Sequence, residues 1–343
     1  MTTTLSEIQK HCIAIGLNSV KVVDEALELQ LCCFRFVNCE GKKAISIRIE
    51  VIEDGNLVVI GAHGVMKGLD DLDSQAELCL RLCHLTMAIQ AEFDENHRIS
   101  IVVEHPVVDS TFSASQLKVY LGSIVEFVDQ FGSSLDSVQL QSGVPVVTLD
   151  FQKGEVNVCE FPRPRPFPYF WRGVRKSSLA SDSRIKELDS TEKTNKFSIE
   201  TVGSKFDELQ IPFEYSSGTD MNRLIFTRRP TVVYQGLDEQ NQLQLTVSVD
   251  ENCVKVLAPL SYQTLTLSDR KKLARLMLEL CQKTKVFQAE LDALGNIVVV
   301  AEVRVLDTQF TSRQLKRLID SLVVVLDEFD PRIRELLSAS CIL

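Results

Sequence analysis

The chain repeats itself at a fixed spacing. Leu80, Leu82 and Cys83 recur as Leu278, Leu280 and Cys281, and Gln90-Ala91-Glu92 recurs as Gln288-Ala289-Glu290. Asp109, Phe112, Gln116, Leu117 and Lys118 recur as Asp307, Phe310, Gln314, Leu315 and Lys316, and Phe131 recurs as Phe329. Every pair stands 198 positions apart, so no gap is needed over this stretch. The chain is a tandem duplication, and its fold must be read once and applied twice. Its 343 residues match about two domains of roughly 150 each.

The expected division is a first domain at 1–135, a connecting region at 136–196, a second copy at 197–335 and a tail at 336–343. In the first copy Ser6-Glu7-Ile8-Gln9 reads as a capping box opening a helix that ends at Asn18. Leu27 to Val37 reads as a strand. Ile45, Ile47, Ile49 and Val51 alternate with polar residues, the pattern of a half-buried antiparallel strand. Asp54-Gly55-Asn56 marks a hairpin into a third strand at 57–62. A second helix at about 74–88 takes Ser74 as N-cap and Glu77 at its third position. Strands at 89–94 and 99–103 follow, then a helix at 113–131 whose Leu117, Leu121, Ile124, Val128 and Phe131 share one face.

The unit is α-β-β-β-α-β-β-α, and the second copy shows the same order. Ile199, Val202, Phe206 and Leu209 open it, and Leu243, Leu245, Val247 and Val249 alternate as Ile45 to Val51 do. Between the copies, 144–149 and 156–161 read as a strand pair, and 176–195 reads as a polar linker.

The charge is −10 on a chain that is 45% hydrophobic, so it is an ordinary globular composition with an acidic surface. Such a surface lacks the electrostatic footprint for nucleic acid and repels anionic membranes. No run reaches the roughly 20 apolar residues of a membrane helix. The first residues lack a basic stretch before an apolar core, so a cytoplasmic location is expected, with the ten cysteines as reduced thiols.

Phe112-Ser113-x-x-Gln116-Leu117 and Phe310-Thr311-x-x-Gln314-Leu315 are the best-matched repeat motif. Their mechanics are those of a capping box with a hydrophobic staple. Glu92, Asp94, Glu104 and Asp109 recur as Glu290, Asp292, Glu302 and Asp307. Their alternation with Ala91 and Phe93 predicts a solvated polar face, with a surface for a basic partner as the other reading. Paired carboxylates also suit acid–base work or metal binding. Cys79, Cys83 and His84 have metal-ligand spacing, but Leu80, Leu82 and Met87 surround them, and the second copy keeps only Cys281, so a core role is expected. Cys32, Cys33 and Cys39 read the same way. None of the five histidines recurs at the 198 spacing, and no phosphate-loop, nucleophile-elbow or zinc-helix motif is present. No catalytic residue, metal or cofactor is therefore assigned.

The segment from Pro162 to Arg172 is the one local oddity in composition. Alternating proline favours an extended polyproline strip, of the kind aromatic grooves recognise. Arg163, Arg165, Phe167, Tyr169, Phe170, Trp171 and Arg172 are the candidate partner-binding residues, the other reading being a stiff connector.

The element order and the apolar strand patterns resemble the type III secretion chaperone-like fold, and especially the YbjN-type bacterial family that shares it, over about 5–131 and 197–332. The resemblance implies an α+β fold and a partner-holding role rather than catalysis. In secretion chaperones two copies usually dimerise while peptide segments wrap around them. A fused duplicate would supply both halves within one chain. The expected function is a non-enzymatic protein-binding module, chaperone-like or assembly-factor-like, acting as an intrachain pseudo-dimer or homodimer. The alternative is a regulatory domain binding a small ligand between the copies.

Overall fold

The computed structural model describes residues 3–33, 36, 38, 41–66, 71–84, 89–137, 197–216, 223–229, 242–250, 253–259, 267–291, 297–306 and 310–340. The fold is α+β, with two similar halves that each hold a six-stranded antiparallel sheet. The first half runs α1 (Leu5–Ala14), β1 (Lys21–Val23), β2 (Ala26–Cys32), β3 (Ala44–Ile52), β4 (Leu57–Met66), α2 (Leu72–His84), β5 (Gln90–Phe93), β6 (Ile99–Pro106) and α3 (Ala114–Ser137). The second runs α4 (Ile199–Glu208), β7 (Phe213–Tyr215), β8 (Arg223–Arg228), β9 (Leu243–Asp250), β10 (Cys253–Pro259), α5 (Leu267–Lys283), β11 (Gln288–Leu291), β12 (Ile297–Arg304) and α6 (Ser312–Ser340). The strand orders are β1-β2-β3-β4-β6-β5 and its counterpart β7-β8-β9-β10-β12-β11.

Each half has one strand more than the sequence pattern suggests. β1 and β7 are three residues long, too short to show an alternation. The 198 spacing holds to the residue for β5 with β11, β6 with β12, and the first residues of α3 and α6. It slips at the β3–β4 turn. Glu53–Asn56 links Ile52 to Leu57, whereas two residues link Asp250 to Cys253. The longer turn holds Glu53 and Asp54 at φ +53°, left-handed backbone that non-glycine residues seldom adopt.

Two predicted caps are displaced. Thr4, not Ser6, caps α1: the Thr4 hydroxyl accepts from the Glu7 N–H, and the Glu7 carboxylate accepts from the Thr4 N–H at 2.8 Å. Both residues start an S/T-x-x-E/Q pattern, so the pattern alone does not choose between them. The helix ends at Ile15, and Gly16 at φ +88° turns the chain, so Asn18 lies outside it. Asp71 rather than Ser74 caps α2, accepting the Ser74 N–H at 3.0 Å.

Alternation places Leu27, Leu29, Leu31, Ile45, Ile47 and Ile49 in the core, with Ser46, Arg48 and Glu50 on the outer face. β5 and β6 behave differently, because every residue of both is buried. One face of that end packs on the half's own helix α3; the other is covered by the second half. The middle helices provide the cover. α2 lies on α5 and β11, and α5 lies on β5, more than either lies on its own edge strand. The helices are thus exchanged between halves like clasped hands.

Candidate functional site

The polar residues of the repeat converge where the halves clasp. Strand register puts Gln90 opposite Val102, Glu92 opposite Ser100 and Glu104 opposite Val59, so Gln90, Glu92 and Glu104 share one face. That face meets the end of α5. The Lys285 Nζ stands 2.9 Å from the Glu104 carboxylate, which also accepts the Val286 N–H. The Gln90 amide donates to Glu92 and to the Cys281 carbonyl, the latter at 3.3 Å. In the second half Lys255 lies opposite Glu302, with its ammonium 2.6 Å from Glu290 and 3.8 Å from Glu302. His84 reaches across from α2 to the Glu290 carboxylate at 2.8 Å.

This overturns the prediction of a solvated face. Glu92, Glu104, Glu290 and Glu302 are 5%, 8%, 0% and 7% exposed. Period-two alternation says which residues share a face but not what covers it. The basic group beside Glu104 is Lys285 of the second half, and the one beside Glu290 and Glu302 is Lys255 of their own half. Asp94 does stay near solvent, tied to Arg98 and Asn96, and exposed Asp109 pairs with Arg313 at 2.8 Å. Asp292 and Asp307 lie outside the described residues.

Electrostatics follow the covering. Burial pushes the Glu92 carboxyl up to about 7, against the pull of the Lys285 ammonium. Burial also raises Glu104, with Lys285 and the Val286 N–H opposing it. Burial works against the charges of Lys255 and Lys285, but the carboxylates outweigh it and hold both above the usual lysine value.

A second polar group lies beside it. The His105 Nδ1 is 2.8 Å from the Tyr120 hydroxyl, which accepts the Arg304 N–H at 3.2 Å. Burial lowers His105 to about 3, leaving it neutral, and raises the Tyr120 phenol. The repeated capping boxes form as expected. The Ser113 and Thr311 hydroxyls accept the Gln116 and Gln314 N–H groups, each at 3.1 Å, and the glutamine oxygens accept in return at 3.0 Å. They also do something sequence alone does not reveal. The Gln116 amide donates to the Arg304 carbonyl at 3.1 Å, and the Gln314 amide donates to the Pro106 carbonyl at 2.8 Å. Pro106 and Arg304 are themselves 198 positions apart, so these bonds are related by the pseudo-twofold.

Cys79 and Cys83 are fully buried core residues, with their thiols pushed up by burial. Such thiols are poor ligands and nucleophiles. Cys33 is also buried, but Cys32 is exposed at the end of β2, against the expectation of a core position. No group of three or more His, Cys, Asp or Glu with metal-binding geometry occurs among the described residues, and none of their helices is long and apolar enough to cross a membrane. Arg163, Arg165, Phe167, Tyr169, Phe170, Trp171 and Arg172 lie outside the described residues, as do Cys39 and the expected strand pair.

No family model matches the chain, and no curated protein matches it. Among solved structures, the crystal structure of YbjN from E. coli is similar to 41% of this chain and 96% of its own, at 14% identity and a TM-score of 0.29. That likeness is too slight to carry an argument about function.

Proposed function

We propose that the chain is a non-catalytic protein-binding module, built as an intrachain pseudo-dimer, that holds extended segments of a partner protein in the manner of a chaperone or assembly factor. The observation that carries this reading is the difference between the two edges of each sheet. The inner edges, β5 and β11, are covered by the opposite half's helix. The outer edges, β1 and β7, end the strand order and carry Val22 and Tyr215, 60% and 52% exposed. Among the described residues no strand pairs beyond β1 or β7, and an edge with exposed apolar side chains suits strand addition by an extended segment. The alternative, a small ligand between the copies, loses support because Glu92, Glu104, Glu290 and Glu302 already have polar partners within the chain.

Affinity capture from cytosol tests the reading with three forms of the full chain: wild type, Val22→Pro with Tyr215→Pro, and a deletion of 162–172. Proline at an edge position blocks strand addition. Partners held by wild type and lost with the proline pair support the edge reading. Loss only on deletion moves the site to the Pro/Arg/aromatic strip. Absence of any specific partner on wild type refutes the protein-binding reading.

A further inference from the structure

The interface between the halves is electrically one-sided. Among the described residues, five Lys or Arg ion pairs cross it: Arg270–Glu77, Arg275–Asp73, Lys285–Glu104, Arg313–Asp109 and Arg317–Glu53. In all five the cation belongs to the second half and the anion to the first. A contact between the His84 ring of the first half and the Glu290 carboxylate of the second, at 2.8 Å, also crosses it. A duplicated interface would start out symmetric, with every pair present twice, so this polarity was acquired in the two copies separately.

The pairs on α2 and α5 show what the polarity excludes. The helices run antiparallel, with Asp73 facing Arg275 at 3.7 Å and Glu77 facing Arg270 at 3.0 Å. The Lys271 ammonium donates to the Ser74 hydroxyl at 2.7 Å. At the 198 spacing, Lys271 stands where the first copy has Asp73, and Arg275 where it has Glu77. Two first halves packed this way would set Asp73 against Glu77 twice. Two second halves would set Lys271 against Arg275 twice. The position of Lys285 is Met87 in the first copy, so a first-with-first pair would also leave Glu92 and Glu104 without their ammonium. Like charges across an interface cost far more than rim pairs gain, which makes repulsion the effective discriminator.

We propose that the clasp is a charge-coded docking surface: the first half's α2–β5–β6 face accepts the second-half face of its own chain and rejects a copy of itself. The inference is independent of what the outer edges bind.

Thermal unfolding of four full-length proteins tests it: wild type, D73K/E77R, R270E/R275E, and all four substitutions together. Each two-residue reversal makes the facing helices alike and should lower Tm by about 5 °C or more. The fourfold swap restores opposite charges at both facing pairs and should recover at least about half of the summed loss, the remainder coming from Arg81 and Glu279, which lie beside positions 77 and 275 on their own helices. Raising salt should narrow the gaps. A fourfold variant that loses the sum of the two reversals overturns the proposal, as does a pair of reversals without effect. D73N, R275Q and their combination read the same coupling in variants that keep the helices and remove no buried group. There the combined loss should be smaller than the sum, and additive losses overturn the proposal.

Discussion

In the second half Lys255 stands beside Glu302 on the sheet and serves Glu302 and Glu290 from within. In the first half the equivalent place, opposite Glu104, is Val59, and the ammonium comes from Lys285 across the interface. The carboxylates are the same at the 198 spacing, but the source of the countercharge differs. The second sheet therefore balances its own buried charge, while the first balances its charge only when clasped. Lys285 bonds Glu104 directly, and the polar contact on Glu92 is the Gln90 amide. Burial is the first cause of the raised Glu92 carboxyl, at about 7, with the Lys285 ammonium pulling against it.

Lys255→Val, which gives the second half the first half's residue, breaks the comparison most severely. It leaves Glu290 and Glu302 buried without their ammonium, with the His84 ring 2.8 Å from Glu290. Removing one partner of a buried pair costs about 3–5 kcal/mol. Urea unfolding should show this loss at neutral pH. A loss under 1 kcal/mol would mean the two halves do not differ in the way described.

Glu92 makes the second prediction, through pH. Its ordinary value is 4.5, and its folded value is about 7. The folded state holds the proton more tightly, so the stability tied to Glu92 is complete below pH 4.5 and is lost as pH rises to 7, about 3 kcal/mol in all. His105 works the other way. Its ordinary value of 6.5 falls to about 3 in the fold, so its contribution is complete above 6.5 and is lost as pH falls. Between pH 4.5 and 6.5 the two slopes oppose each other. Glu92→Gln keeps an acceptor for the Gln90 amide and removes one slope. It should raise stability by about 3 kcal/mol at pH 8 and leave it unchanged at pH 4.5. Equal effects at both pH values would show that Glu92 does not titrate in that window.

Much of the fold is legible in sequence because it is set locally. Ile45 to Ile49 announce a strand by alternation, and Ser113 with Gln116 announces a helix start four residues wide. The buried charge is different in kind. Glu92 and Glu104 look solvated because their cover, α5 and Lys285, lies nearly 200 residues away. One signal was present: at the 198 spacing Asp73 and Glu77 become Lys271 and Arg275. Paired reversal of charge between two copies is hard to explain unless those positions face one another. The second strand of Gln116's role, its bond to the opposite half, had no such signal, because Gln314 satisfies the same capping pattern whether or not a neighbour is present.

Those two glutamines sharpen the comparison at its finest level. Each closes its own capping box and donates one bond across the clasp. Alanine at either position keeps the Ser113 or Thr311 cap but removes the glutamine's return bond of the capping box and a cross-half hydrogen bond, each worth about 1 kcal/mol. The two losses should not be equal, however. The Gln116 amide also lies 3.5 Å from the His105 Nε2, whereas the residue matching His105 in the second half is Val303. Gln116→Ala leaves that buried imidazole with one polar neighbour fewer, so it should cost about 0.5–1 kcal/mol more than Gln314→Ala. In a His105→Val background the first half carries the second half's residue, and the two costs should converge. If the difference persists there, His105 is not its source. If it never appears, the cap and the clasp alone set the value of both glutamines, and the halves are equivalent at this position despite their different cores.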